Sequence, residues 1–150
     1  MQTQFLTLDE ARDLRCLAGM MIPPSAELGM PGADDPAITA DMQASIGRDL
    51  EDVRTALAEL VALAGGPFAD LPPARQDILA ARWRAVERPA LATLRRVILQ
   101  CYYRDDRVVR ALGREARPPF PKGNVLEQGD WSLLDPVRAR PKMWRDVAGG

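Results

Sequence analysis

Few residue types in this 150-residue chain can do chemistry by themselves. It has no histidine and only two cysteines, Cys16 and Cys101. The commonest general base is therefore missing, and the usual transition-metal ligand sets cannot be assembled. The acid pairs Asp34-Asp35 and Glu51-Asp52 are types that bind Ca²⁺. An isolated pair falls short of the six or more oxygens such a site needs, so they read as solvated helix ends or faces. Tyr102-Tyr103 can stack on a base or a cofactor ring; at helical spacing one of the two belongs to the core and the other is free to face a partner. Gly65-Gly66 reads as a helix stop rather than a phosphate loop. No P-loop, GxGxxG or GxSxG motif occurs. The expected catalytic, cofactor-binding and metal-binding sets of this chain are therefore empty.

Basic residues are the next candidates. Eighteen of the twenty are arginine, the type suited to planar, bidentate ion pairing at interfaces. Arg82, Arg84, Arg88, Arg95 and Arg96 recur over two successive helices. Phosphate binding, however, goes with a strongly basic domain, and this chain has a net charge of −1 and a pI near 5.5, so nucleic acid is not an expected partner. The charge is unevenly spread. Residues 26–71 hold nine acids against Arg48 and Arg54, whereas residues 104–145 hold ten bases against six acids. One reading lays the basic tail on the acidic helix of its own chain.

That tail, from Tyr102 to Arg145, contains two of the three tryptophans, Phe120 and a Pro-Pro-Phe-Pro run, with little helical or strand period. Disordered tails are poor in aromatics, and structureless loops seldom exceed about 12–15 residues. A segment this long and aromatic lies against something. The roughly 32 residues after Gly113 reach ~100 Å when extended, far past a 113-residue globule with a radius of gyration near ~13 Å. Phe120, Trp131, Leu133, Leu134, Val137, Met143 and Trp144 are its anchors, and Pro118, Pro119 and Pro121 lower the entropy lost on docking.

The elements that position these residues are helical. Thr7 with Glu10 makes a capping box, with Phe5 or Leu6 as a staple. Ala11, Leu14, Leu17, Ala18 and Met21 form the apolar face, and Pro23-Pro24 ends the helix. Asp34 or Asp35 caps the next helix. From Ala37 to Ala64 the apolar positions Ile38, Met42, Ile46, Leu50, Val53, Leu57, Leu60, Val61 and Ala64 form one stripe. They predict a single helix ~40 Å long, bent at Gly47 and stopped by Gly65-Gly66. Pro72-Pro73 opens a third helix with Ile78, Leu79, Trp83 and Val86 inward. Pro89 opens a fourth with Leu91, Leu94, Ile98, Cys101 and Tyr102 inward. Asp105 or Asp106 caps a short fifth. Strand signals are almost absent, so the expectation is all-α: a bundle over 1–113 and an extended arm over 114–150. The two cysteines read as buried free thiols. No apolar run is long enough to span a membrane. The N-terminus MQTQFLTLDEARDL has no basic or apolar leader pattern and no twin arginine, which predicts a cytoplasmic protein.

Three segments carry a family resemblance. LTLDEARDLRCLAGMMIPP runs a first helix into Ile-Pro-Pro before an acidic Gly/Pro loop; GGPFADLPPARQDILA places Phe68, Leu71 and Gln76 in a "pF..L....q" pattern; Tyr102-Tyr103-Arg104-Asp105-Asp106 precedes Leu112-Gly113. Together they resemble the gluconate 2-dehydrogenase subunit 3 family, the small subunits of flavin dehydrogenases. The resemblance implies an accessory chain without flavin that holds and helps mature a large FAD-dependent subunit of the glucose-methanol-choline type. FAD then sits in the partner, which oxidises sugar or other alcohol hydroxyls. Many family members carry a twin-arginine signal, which this sequence lacks, and the arm is more developed than the family's usual tail. The expected partner contacts are Tyr103, Arg104, Asp105, Pro118, Pro119, Phe120, Pro121, Trp131, Leu134, Arg138, Arg140 and Trp144. The competing expectation is a self-contained helical scaffold or regulator, as a homodimer in one form, whose arm packs on its own bundle.

Overall fold

Thr7 starts the first helix through both halves of a capping box. Its hydroxyl accepts from the Glu10 N–H, and the Glu10 carboxylate accepts from the Thr7 N–H at 2.7 Å. The computed structural model describes residues 5–117, 127–141 and 143, and in these it is all-α, with no strand. The helices are α1 (Leu8–Met21), α2 (Pro36–Ser45), α3 (Leu50–Ala64), α4 (Pro73–Arg84), α5 (Pro89–Arg104), α6 (Asp106–Ala111) and α7 (Asp135–Arg138), with short 3₁₀ turns at Gly47–Asp49, Phe68–Asp70 and Trp131–Leu134. The chain divides into two units, Met1–Ala116 and Arg117–Gly150. None of the described helices is long and apolar enough to cross a membrane.

In the first unit α3 packs against α5, α4 and α1, and α2 packs against α5. Leu57, Leu60, Ile38, Met42, Leu91, Leu94 and Ile98 are almost fully buried between them. Each such side chain contributes about 1.5–3 kcal/mol relative to exposure. Asp35, rather than Asp34, caps α2, accepting from the Ala37 N–H at 2.9 Å. Gly65, at φ +77, stops α3 in the left-handed conformation that an L side chain disfavours.

Three expectations are corrected. The predicted helix over 37–64 is two helices, because Gly47 takes φ +33 and opens a 3₁₀ turn, Gly47–Asp49. The apolar stripe nevertheless crosses the break, with Ile38, Met42, Ile46, Leu50, Val53, Leu57 and Leu60 all buried. Arg96 of α5 holds Asp49 in the turn at 2.8 Å. The bundle therefore has five helices of ten residues or more instead of four. On α4, Leu79 and Trp83 point inward as expected, but Ile78 is exposed and Ala80 takes an inner position, and Val86, past the end of the helix, is exposed too. Positions 79, 80 and 83 lie on the inner side of α4 and 78 falls off it, whereas Val86 keeps the inward spacing but comes after the helix has ended at Arg84.

Among its described residues the second unit has a turn of 3₁₀ helix running into the single turn of α7. Asp130 caps it, accepting from the Ser132 N–H at 3.0 Å and the Ser132 hydroxyl at 2.6 Å. Those bonds hold the Asp130 carboxyl below its usual range. All of its described residues from 127 onward are exposed.

Candidate functional site

The Tyr-Tyr-Arg-Asp segment lies at the end of α5, and the structure separates the roles of its members. Tyr102 is the inward residue. It is 2 % exposed, and its hydroxyl donates to the Pro31 carbonyl at 3.1 Å. Tyr103 is 53 % exposed and meets Tyr102 edge-on, with ring centroids 5.2 Å apart. It offers an aromatic face that the neighbouring ring braces.

Arg104 and Asp105 are engaged within the bundle. The Arg104 guanidinium donates to Asp41 of α2 from Nε at 3.0 Å and from Nη2 at 2.6 Å, and to the Ser45 hydroxyl at 3.0 Å. Asp105 caps α6 by accepting from the Arg107 N–H at 2.9 Å. Arg107 then bridges Asp105 and Asp35, its Nη2 lying 2.7 Å from Asp35 Oδ1 and 3.0 Å from Asp105 Oδ2. Arg107 is the main reason that both carboxyls sit below the ordinary carboxylate range.

On the second unit Trp131, Leu133 and Val137 are well exposed and Leu134 is 40 % exposed. Arg138 makes one surface pair with Asp135 at 3.4 Å, both side chains about two-thirds exposed. Such a pair is weak and easily exchanged. Arg140 is exposed. Pro118, Pro119, Phe120, Pro121 and Trp144 lie outside the described residues.

Elsewhere, groups capable of chemistry support the fold. Asp13, an acid in the middle of α1 that sequence reasoning missed, is 1 % exposed and accepts from the Ala69 N–H at 2.7 Å. Its position four residues before Leu17 was the available signal, since it places the acid beside the apolar stripe. Asp13 lines a cavity of about 270 Å³ with Asp9 and Glu10, but Glu10 is already bonded to Thr7 and lies 3.6 Å from Arg54. A wider hollow of about 450 Å³ contains Arg12, Arg15 and Cys16. There Arg12 pairs with Asp70 and Arg15 donates to the Asp34 carbonyl at 3.0 Å. Burial pushes both the Cys16 and Cys101 thiols up, away from the thiolate a nucleophile requires. Both are free cysteines. Among the described residues no group of three His, Cys, Asp or Glu could hold a metal ion.

The arrangement best suited to recognition is thus a set of exposed aromatic and aliphatic side chains with arginines beside them, on two separate elements. Compared with protein-family models, curated proteins and solved structures, the chain has no match.

Proposed function

We propose that this chain is a non-catalytic small subunit that binds and stabilises a large FAD-dependent dehydrogenase of the glucose-methanol-choline type. The second unit is its docking element. The observation that carries the docking role is the exposure of Trp131, Leu133, Leu134, Val137 and Met143 on a segment whose described residues from 127 onward bury nothing. An isolated helix needs about 12–15 residues to be even marginal in water, and α7 has four. Such a segment gains its stability from a surface that covers its apolar side chains. Tryptophan and arginine are also the types that dominate interface hot spots. The identity of the partner rests on the sequence resemblance: the helix running into Ile-Pro-Pro, the Phe68-Leu71-Gln76 pattern and the Tyr-Tyr-Arg-Asp-Asp segment. FAD and the oxidation of a sugar or alcohol hydroxyl belong, in this reading, to the partner.

The test is co-expression with a large flavin-dependent dehydrogenase encoded beside this chain. A yellow complex should co-purify, and the double variant Trp131→Ala, Leu134→Ala should lose it while the thermal unfolding of the small chain stays within about 0.5 kcal/mol. A well-behaved colourless protein that ignores the large chain overturns the reading. Unchanged association in the double variant moves the interface onto the bundle.

A further inference from the structure

Three helices of the first unit enclose an apolar cleft of about 100 Å³. Met20 and Met21 of α1, Ala80 and Trp83 of α4, and Leu94 and Ile98 of α5 line it. Arg84 and Arg95 are its charged lining residues. Methionine adapts its shape to what it meets and is favoured on binding surfaces for that reason.

The size of the cleft decides what class of occupant fits. Sites for cofactors and metabolites measure about 300–1,000 Å³, and an engineered cavity that holds benzene measures about 150 Å³. This cleft is therefore scaled to one aliphatic side chain. The residues on its wall say more. Trp83 is 3 % exposed, and its indole N–H is buried with no acceptor among the described residues. The indole nitrogen has no open surface of its own, so an occupant of the cleft meets the Trp83 ring rather than its N–H, and Trp83 serves as a reporter of the cleft.

Charge narrows the class of occupant. Residues 73–104 carry seven arginines against Asp77 and Glu87. Arg88, Arg96 and Arg104 are taken up by Glu59, Asp49 and Asp41 of the neighbouring elements. Arg95 reaches Glu87 at 3.0 Å. Arg84 is exposed at the cleft, and no hydrogen bond or ion pair joins its guanidinium to a described residue. Arg95, Leu99 and Tyr103 follow one another at four-residue steps, so they form one ridge of α5. Leu99 is 37 % and Tyr103 53 % exposed. That ridge carries the apolar surface from the cleft to the open face of the Tyr103 ring.

We propose that the cleft is a docking pocket for a partner polypeptide that presents one aliphatic side chain of leucine size beside an acidic residue. The aliphatic group enters between Met20, Trp83 and Ile98, and the carboxylate pairs with Arg84. This goes beyond the flavin-subunit reading: the pocket belongs to the bundle and works whatever covers the second unit.

The experiment uses the full chain carrying Trp131→Phe and Trp144→Phe, which leaves Trp83 as the reporter. The probe is a capped peptide of Glu and Asp around one central leucine, with controls in which the leucine is alanine or the acids are lysines. Trp83 fluorescence and its indole ¹⁵N–H signal are followed in titration. The leucine peptide should give a saturable shift, the alanine peptide one at least about ten-fold weaker, and the lysine peptide none. Arg84→Glu, at an exposed position, should leave unfolding unchanged and reverse the preference toward the lysine peptide. Ala80→Leu should fill the cleft and abolish the shift. Equal response to the leucine and alanine peptides, or none at millimolar peptide, overturns the proposal. So does a Trp83 shift that rises with protein concentration alone, which would assign the cleft to a second copy. Saturation by 4-methylpentanoate as readily as by the peptide would assign it to a small carboxylate and also overturn it. Both arm tryptophans are absent throughout, so the fluorescence reports Trp83 alone.

Discussion

The Tyr102 hydroxyl donates to the Pro31 carbonyl at 3.1 Å, tying the end of α5 to the loop between α1 and α2 across 71 positions of sequence. Tyr102→Phe keeps the packed ring and removes that bond, leaving a part-buried carbonyl to be satisfied elsewhere. The expected loss is about 1 kcal/mol, a fall of roughly 3–5 °C in Tm for a unit of this size. Tyr103→Ala should change stability by less than about 0.5 kcal/mol, because its ring is half in water. Paired thermal-melting curves separate the two, and equal losses would mean that Tyr103 packs more tightly than its exposure states.

The bridge from Asp105 through Arg107 to Asp35 makes the bundle sensitive to acid. Both carboxyls are held below their ordinary range, with the Arg107 hydrogen bond as the largest cause. A depressed carboxyl binds its proton more weakly in the folded chain than in the unfolded one. Its contribution is therefore fully present above the unfolded value, ~3.9 for aspartate, and is lost as pH falls through the lower folded value. Urea unfolding at neutral pH and at a series below pH 4 should show this loss. Arg107→Ala should lower stability at neutral pH and flatten the acid limb; an acid limb of unchanged steepness would assign it to other carboxylates.

Gly47 separates α2 from α3 with φ +33, and a Cβ built there meets nothing within 4 Å. Gly47→Ala therefore tests backbone strain alone. It should cost about 1 kcal/mol or more, with helix content by circular dichroism unchanged. An increase in helix content together with higher stability would mean that alanine has joined α2 and α3 into one rod.

These residues also mark how far the sequence could be read. The Thr7 cap and the Gly65 stop were legible because each depends on residues within a few positions of the helix end. The break at Gly47 was not, because Ile38, Met42, Ile46, Leu50 and Val53 keep helical spacing straight through it, and periodicity records which side faces the core rather than whether the backbone is continuous. On α4, apolar type drew Ile78 inward, yet large hydrophobic residues are often exposed; Val86 keeps the inward spacing, but the helix has already ended at Arg84. The candidate site divides the same way. An aromatic arm rich in arginine could be recognised from composition. That Arg104 is held by Asp41, 63 positions away, has no local signature, and a cleft assembled from three helices has none either.

Phe68 and Gln76, two residues of the "pF..L....q" pattern, are joined to each other in the structure. Phe68 is 0 % exposed, and Gln76 Nε2 donates to its carbonyl at 3.2 Å from the first turn of α4. Leu71 is half-buried against the same core, so the pattern records how the turn between α3 and α4 is closed. Phe68→Ala should cost about 3–5 kcal/mol by emptying a packed position. Gln76→Ala should cost about 1 kcal/mol by withdrawing a donor from a main-chain carbonyl. Chemical denaturation of the two variants checks this order. Partner binding discriminates further: Gln76→Ala, which stays folded, should bind the proposed large chain as the parent does, because the turn is a structural element and the proposed docking contacts lie on the second unit, from the Trp131–Leu134 turn onward. Weaker binding by this variant at unchanged helix content would place the turn itself in the interface.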